Sequence, residues 1–279
     1  MMMRKRVAAA VMGAFILFTL SGCGMWWEST NEIHSYGVFL SVDKDLGQLE
    51  DYRTVVIDAQ YFDADEIKAF KDNGHVVYSY INVGALEDFR DYYAVYRDIS
   101  LGEYEHWEEE VWMDVSDVRW QEFILDELAP SLAEKGIDGF FVDNCDVYYQ
   151  YENEKIFEGL TVIMRGLIGF DIDVIINGGD VYLDAYTGAY GNCKDVVTGI
   201  NQETVFTKIS WEDGSFSRAS EEDREYFTEY LERYSEPGVK IFLLEYTADE
   251  ALIKDISEYC DKHGYLYYVS DSIELLSPV

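Results

Sequence analysis

The stretch of residues 136–149 reads G-I-D-G-F-F-V-D-N-C-D-V-Y-Y and decides the fold. Its short apolar run at residues 140–142 lies between a glycine and polar residues, which is typical of a strand buried on both faces. Asp143, Asn144 and Asp146 follow that run at once, as expected at the catalytic end of a barrel strand. An aspartate at a strand end serves equally often as a helix cap or an ion-pair partner, so its position alone does not assign a catalytic role.

A unit of helix, glycine and strand recurs along the chain. In one copy Asp63 and Glu66 predict a capping box at the start of a helix, and Gly74 predicts its left-handed end. Thr247 and Glu250 predict a second capping box before the last helix. The eight predicted strands begin at Tyr36, Thr54, His75, Asp138, Asp173, Val196, Lys240 and Tyr265. Eight strands separated by helical segments in 279 residues predict a single α/β domain, a (β/α)8 TIM barrel, rather than an open doubly wound sheet.

The first residues have a different character. Basic residues 4–6 precede an apolar run at residues 7–20, which is too short for a comfortable membrane span. Leu20-Ser21-Gly22-Cys23 follows, and the segment resembles a bacterial lipoprotein signal peptide at residues 1–22. The resemblance implies lipidation of Cys23, a tether at residues 23–34 and a barrel at residues 35–279. An ordinary secretory signal or an uncleaved anchor is the alternative, and all three predict export. The lipoprotein interpretation predicts an extracytoplasmic protein anchored to the cell membrane.

The chain is strongly acidic, with 55 acidic and 21 basic residues and a formal net charge of −34. Nucleic acid and anionic lipid headgroups are poor partners for such a surface, because phosphate binding requires the opposite sign of charge. A neutral or cationic ligand is favoured, and no protein partner is inferred.

Beyond Cys23, three cysteines lie at irregular spacings, Cys145, Cys193 and Cys260. They predict neither a disulfide framework nor a zinc site, although one disulfide remains open.

Two long connections, residues 82–117 and 203–220, are rich in aromatic side chains. Loops of this length are usually functional or disordered, and their aromatic content argues against disorder. We expect them to wall a cleft at the C-terminal face of the barrel. Trp211 in the second loop and Tyr149 after the fourth strand are candidates for stacking on sugar rings.

Carboxylates, including Glu245, dominate the predicted strand ends, whereas the histidines lie elsewhere. A His-containing triad and a His-based metal site therefore lack a constituent, and no cofactor is predicted. A calcium site built from carboxylates is the alternative.

Glycoside hydrolysis needs two carboxyl groups flanking the scissile bond, one protonated and one ionised. Asp143 and Glu203, at the ends of the fourth and sixth predicted strands, form the candidate catalytic pair.

Three motifs together carry a resemblance to a known family. They are S-Y-I-N-V-G-A-L-E-D-F-R at residues 79–90, V-W-M-D-V-S-D-V-R-W-Q at residues 111–121, and the strand at residues 136–148. The chain resembles glycoside hydrolase family 114, the endo-α-1,4-polygalactosaminidase-like barrels. The resemblance implies that Asp143 and Glu203 are the catalytic acids. It also implies a cleft lined by Asp58, Tyr80, Asn82, Arg90, Asp146 and Asn177. Chains of the family often carry glutamate after the V-G of the first motif, where this chain has Ala85.

The sequence therefore predicts an exported, membrane-tethered glycosidase that cleaves an α-linked, amino-sugar-rich exopolysaccharide of galactosaminan type. Ammonium groups on such a polymer agree with the acidic face. The alternative is a sugar-binding surface lipoprotein whose barrel has no turnover, because barrels host many activities and fold alone does not separate the two. A barrel hydrolase of another kind, such as a deacetylase, is disfavoured by the missing metal ligands.

Overall fold

A computed structural model describes residues 33–276 and confirms the predicted barrel. Within this range eight parallel strands form one sheet, and each pairs with the next barrel strand along the chain. Numbered in chain order, the barrel strands are His34–Phe39, Tyr52–Ile57, Val76–Asn82, Gly139–Asp143, Asp173–Asn177, Gly199–Glu203, Lys240–Tyr246 and Leu266–Ser270. Phe39 and Tyr268, in strands one and eight, pack with ring centroids 5.2 Å apart and bring the sheet close to closure.

Six of the eight barrel strands begin one to three residues from their predicted starts, whereas the fifth and seventh begin as predicted, at Asp173 and Lys240. The first strand begins at His34 rather than at Tyr36, one residue before the predicted domain start at residue 35. The sixth strand begins at Gly199 rather than at Val196. Val196 and Val197 are buried, but their backbone N–H groups both donate to the carbonyl of Cys193 and so form a turn instead of a ladder. Their apolar character therefore reports burial and not strand pairing.

The core has two layers because side chains alternate between the two faces of each strand. In strand four, Phe141 points into the barrel, whereas Phe140 and Val142 pack against the surrounding helices. Strand seven alternates in the same way, with Phe242 and Tyr246 inside the barrel. This alternation decides which strand-end residues can reach the barrel mouth.

The helices lie between the strands and cover the outer face of the sheet. The α-helical segments are Ala64–Asp72, Tyr93–Tyr96, Val118–Glu122, Ala129–Ala133, Val147–Gln150, Glu154–Ile168, Asp180–Tyr190, Glu221–Tyr234 and Glu250–His263. A π-helical stretch, Phe123–Leu128, joins two of these segments, and 3-10 turns lie at Leu46–Leu49, Ala59–Tyr61 and Arg97–Ile99.

The first predicted capping box is confirmed. Asp63 accepts from the backbone N–H of Glu66, and the Glu66 side chain accepts from the N–H of Asp63, both at 2.9 Å. The second capping box is wrong. Asp249 caps the last helix, while Thr247 accepts from the Asp249 N–H. Aspartate is among the best N-cap residues and lies directly before the first helical residue, so it displaces the threonine from that role.

The two long connections have secondary structure of their own. The first contains a three-stranded antiparallel sheet of Ala85–Glu87, Glu110–Met113 and Ser100–Glu103. The second is a hairpin of Thr207–Ile209 and Phe216–Arg218. The connections meet where His106 stacks on Trp211, with ring centroids 4.9 Å apart and planes 5° from parallel. Because they follow strands three and six, this contact lies beside the ends of strands four and five.

Cys145, Cys193 and Cys260 are buried free thiols in the structure. The predicted signal peptide, Cys23 and nearly all of the predicted tether lie outside the described residues. Among residues 33–276, no helix combines the length and apolar character needed to cross a bilayer.

Candidate active site

Three polar side chains stand at the C-terminal ends of strands four, five and six. They are Asp143, Asn177 and Glu203. Nδ2 of Asn177 donates to Oδ1 of Asp143 at 2.9 Å and to Oε1 of Glu203 at 2.8 Å. One amide group therefore holds the two predicted catalytic carboxyl groups together at the barrel mouth.

The orientation of this amide is fixed from inside the barrel. Oδ1 of Asn177 accepts from Nδ2 of Asn201 at 2.7 Å, and Oδ1 of Asn201 accepts from the hydroxyl of Tyr36 at 3.0 Å. Because each side-chain amide has one donor end and one acceptor end, a flip of Asn177 would set a carbonyl against two carboxylates. The relay thus directs the donor end of Asn177 at the acid pair.

The shared donor also limits the distance between the two acids. Oxygens of Asp143 and Glu203 both lie within 3 Å of one nitrogen, so they are at most about 6 Å apart. Retaining glycosidases place their carboxyl groups about 5–5.5 Å apart, whereas inverting enzymes need about 6.5–9.5 Å to admit a water molecule. The limit for these two oxygens lies below the range of inverting enzymes and includes the separation found in retaining enzymes.

The surroundings of the pair favour one retained proton. Burial, followed by the charge of Glu203, raises the pKa of Asp143 to about 7, against a hydrogen bond from Asn177. Burial also raises the pKa of Glu203, while hydrogen bonds from Asn177 and Tyr246 oppose the shift. Two close carboxyl groups in one mostly buried site do not both ionise readily. Near neutral pH the pair can therefore supply one acid and one carboxylate.

Tyr246, which the sequence analysis did not single out, belongs to this site. Its hydroxyl donates to Oε2 of Glu203 at 2.8 Å. Burial and the charge of Glu203 raise its pKa, so the phenol keeps its proton and remains a donor. Both oxygens of Glu203 thus accept hydrogen bonds from neutral donors.

Asp146, predicted to line the cleft, lies beside the pair. Its two oxygens accept from the backbone N–H of Gly179 at 3.3 and 3.2 Å. Burial, then the charges of Asp180 and Asp143, raise its pKa to about 7. Asp146 therefore adds to the negative potential at the barrel mouth and helps to fix the turn after strand five.

Glu110 is a further acid that sequence reasoning missed. It begins a strand of the first long connection and lies 3.5 Å from the Nδ2 of Asn82 through its Oε2. Burial, then the charges of Glu87 and Asp143, raise its pKa to about 8. Asn82, a predicted cleft residue, also accepts from the backbone N–H of Ala85 at 2.8 Å and so anchors this connection to strand three.

Tyr104, noted in the sequence only as one aromatic residue among many, reaches over the same site. Its hydroxyl donates to Oδ1 of Asn144 at 3.0 Å, and its ring stacks on Trp112 at 4.1 Å. Burial and the charges of Asp143 and neighbouring carboxyl groups raise its pKa. The first long connection therefore places a neutral phenol above the acid pair.

Comparison with known proteins shows the family to which the chain belongs. Residues 22–162 match the profile of Glycoside-hydrolase family GH114. The chain belongs to family GH114. This match includes Asp143 but ends before Asn177 and Glu203, so the position of the second acid rests on the structure. No curated protein sequence matches the chain at a significant level.

Solved structures share the barrel of this GH114 protein. The glycoside hydrolase domain of PelA from Pseudomonas aeruginosa superposes with a TM-score of 0.70 at 19% identity, covering 86% of this chain and 95% of that one. Ega3 from Aspergillus fumigatus, in complex with galactosamine, gives 0.68 at 14% identity, covering 88% and 94%. The α-galactosidase TtGalA from Thermus thermophilus gives 0.57 at 11% identity, covering 88% and 60%. At these identities the likeness shows the fold.

Asp58 and Arg90, two residues predicted to line the cleft of the GH114 barrel, form a buried ion pair in the structure. Nη1 of Arg90 lies 2.6 Å from Asp58, and its Nη2 lies 3.0 Å from Glu87, with all three side chains at most 6% exposed. Tyr80, another predicted cleft residue, donates to the same Glu87 oxygen at 3.1 Å. The guanidinium group is therefore neutralised by two buried carboxylates, and Tyr80 belongs to the same cluster.

Glu245, another predicted substrate-binding residue, is also buried in the structure. It is 0% exposed, and its oxygens accept from the backbone N–H groups of Phe206 and Thr207, each at 3.0 Å. The alternation of strand seven explains this placement. Tyr246 points into the barrel with Phe242, so Glu245 points outward beneath the second long connection.

The two predicted stacking residues remain at the surface. The Tyr149 side chain is 63% exposed and that of Trp211 is 44% exposed. His106 stacks against Trp211, and the Trp107 ring meets it edge-on at 6.0 Å. An exposed indole supported by its neighbours suits a sugar ring, because the C–H face of a pyranose packs on aromatic rings.

No group of three or more histidine, cysteine, aspartate or glutamate side chains in the described range is arranged to hold a metal ion.

Proposed function

We propose that this GH114 protein is a retaining glycoside hydrolase that cleaves an α-linked, galactosamine-containing polysaccharide internally. The observation that carries the proposal is the double hydrogen bond from Asn177 to Asp143 and Glu203. It keeps one oxygen of each carboxyl group within about 6 Å of the other, a limit that includes the separation in covalent glycosidases, and this closeness lets the pair share a proton. A sugar-binding protein has no need of such a pair.

The reaction has two steps. In the first, the carboxylate of the pair attacks the anomeric carbon and the protonated partner gives its proton to the leaving oxygen. The glycosidic C–O bond breaks, a glycosyl ester forms, and one chain fragment leaves with a new hydroxyl group. In the second, the deprotonated partner removes a proton from water, whose oxygen displaces the ester carboxylate. Substitution twice at one carbon retains the anomeric configuration.

Charge supports an amino sugar as the substrate. Glu110 and Asp146 flank the catalytic pair, and the whole chain carries a formal net charge of −34. Their raised pKa values show that these acids lack a cationic partner, so a protonated amine entering the site would favour their ionised forms and be attracted by them, whereas a uronic acid would be repelled. The galactosamine bound in the Ega3 structure supports the same class of sugar.

The amino-terminal sequence supports export and a lipid anchor on Cys23. The basic residues 4–6, the apolar run and the Leu20-Ser21-Gly22-Cys23 segment are the features on which this part of the proposal rests. Replacing Cys23 by serine is expected to release the protein from the membrane fraction without changing its turnover. Retention of the variant in the membrane would contradict lipid anchoring at this residue.

The decisive experiment incubates the purified protein with partly deacetylated galactosaminan, glucosaminan and a neutral glycan. New reducing ends are expected from galactosaminan, with rapid loss of polymer length, and Asp143→Asn should abolish them. Proton NMR at early times should show the α-anomer first. Saturable binding without new reducing ends would support the sugar-binding alternative instead. A β-anomer as the first product would contradict retention.

A further inference from the structure

The carboxylate of Glu245 is fully buried on the outer face of strand seven, yet it is bound to the segment that directly follows Glu203. Its Oε1 accepts from the N–H of Phe206, and its Oε2 accepts from the N–H and the hydroxyl of Thr207, at 3.0 and 2.6 Å. A carboxylate with three donors is a rigid junction, because hydrogen bonds to a charged acceptor are short and strong. Glu245 thus fastens the second long connection to the barrel.

The path of the chain after Glu203 shows what this junction holds. Thr204 has φ of 55°, in the left-handed region, and its N–H donates to the carbonyl of Leu244 at 3.0 Å. A threonine in this conformation is strained and persists only where its surroundings enforce it. The chain therefore turns sharply at the residue after the acid and is fixed again at Phe206 and Thr207 by Glu245.

The same junction reaches Glu203 by a second route. The hydroxyl of Thr207, which donates to Glu245, also accepts from the backbone N–H of Tyr246 at 3.2 Å. The hydroxyl of Tyr246 donates in turn to Oε2 of Glu203. Glu245 is therefore connected to the catalytic acid through the backbone on one side and through Tyr246 on the other.

We propose that Glu245 is a positioning residue that holds Glu203 opposite Asp143 by anchoring residues 206–207. The inference rests on the proposed function of the acid pair, but it concerns a side chain that does not contact the substrate. A displacement of about 1 Å at a reacting group costs on the order of a hundredfold in rate. Loss of the anchor therefore lowers kcat, while substrate binding at the rest of the cleft is retained.

Glu245→Gln keeps the side-chain volume but places an NH2 group against one of the backbone N–H groups. With galactosaminan as substrate, kcat is expected to fall about 10- to 100-fold while KM changes less than about threefold. Thr207→Val, which removes the hydroxyl and keeps both backbone donors, should give a smaller loss in kcat. Thr161→Val is the matched control, because it removes a buried hydroxyl that bonds to Tyr182 away from the site. It should leave kcat unchanged.

A double-mutant cycle distinguishes positioning from general destabilisation. Turnover of an aryl glycoside with a good leaving group is compared for Glu203→Gln, Glu245→Gln and the double variant. If Glu245 acts through Glu203, the double variant should be no slower than Glu203→Gln alone. Fully multiplicative losses, or wild-type kcat in both Glu245→Gln and Thr207→Val, would overturn the inference while leaving the proposed function intact.

A crystal structure of the Glu245→Gln protein supplies a readout that does not depend on turnover. The 2.8 Å contact between Oε1 of Glu203 and Nδ2 of Asn177 is expected to lengthen beyond hydrogen-bond range. An unchanged contact would refute the positioning role, even if the wild-type protein had no activity on any glycan tested.

Discussion

Asp143→Asn is expected to abolish turnover and yet stabilise the fold, and the gain should depend on pH. In the folded protein the pKa of Asp143 is raised to about 7, first by burial and then by the charge of Glu203. In the unfolded chain an aspartate titrates near 3.9. The folded state therefore holds a proton that the unfolded state loses between about pH 4 and pH 7, and wild-type stability falls as pH rises through this window.

The magnitude follows from the size of the shift. About three pKa units at 1.36 kcal/mol each correspond to about 4 kcal/mol above pH 8, and the difference between variant and wild type nearly vanishes at pH 4. For a domain of this size, 4 kcal/mol corresponds to a Tm increase of about 8–16 °C. Urea unfolding followed by circular dichroism at pH 4, 6 and 8.5 measures the free energy of unfolding directly.

Asp126→Asn, at an exposed helix position, is the matched control and should show little change at any of these pH values. A gain that is equal at pH 4 and pH 8.5 would refute the electrostatic explanation. A variant less stable than wild type at pH 8.5 would show that the ionised carboxyl group is compensated in the folded protein.

Further predictions concern the roles of individual groups. Azide should restore turnover to both Asp143→Ala and Glu203→Ala. The variant that lacks the nucleophile should give a glycosyl azide of inverted anomeric configuration. The variant that lacks the acid should give a glycosyl azide of retained configuration. Rescue of neither variant would count against the two-carboxylate mechanism. Asn177→Ala removes the hydrogen bonds that lower the pKa values of Asp143 and Glu203. The alkaline limb of the pH profile of kcat should therefore move up by about one pH unit. An unchanged limb would contradict the bridging role of Asn177. Tyr246→Phe should lower kcat about tenfold with little change in KM, and wild-type kcat would show that its bond to Glu203 is dispensable. Trp211→Ala should raise KM for long chains about tenfold but leave that for a short aryl glycoside unchanged; equal effects on both substrates would exclude a distant sugar contact.

The fold was predictable because its units repeat and their boundaries have local causes. Gly74 and Gly136 adopt φ of 97° and 83° between a helix and a strand, a conformation that favours glycine. The predicted ends of strands four and six, Asp143 and Glu203, are the observed ends. Local propensity and strand periodicity act within a few residues, so the sequence alone carries this information.

The missed site residues depend on contacts between distant segments. Glu110 reaches Asn82 only because residues 85–87 and 110–113 pair as antiparallel strands, which no local pattern indicated. Glu245 was selected for its position at a strand end, but a shift of a single residue along a strand reverses the face to which a side chain points. The inward residue, Tyr246, is the one that contacts Glu203.

The arrangement of charges explains how a barrel with such an acidic mouth keeps a proton on its catalytic pair. A guanidinium group beside Asp143 would lower its pKa and remove the acid needed in the first step. Arg90 is close enough to lower the pKa of Glu110, but it is engaged by Asp58 and Glu87 in a buried cluster. The pair itself is held by amide and phenol donors, which orient the carboxyl groups without fixing them in the charged form. Because the donors to the pair are neutral and Arg90 is already neutralised by Asp58 and Glu87, no cation offsets the effect of burial, and the pKa of Asp143 stays raised.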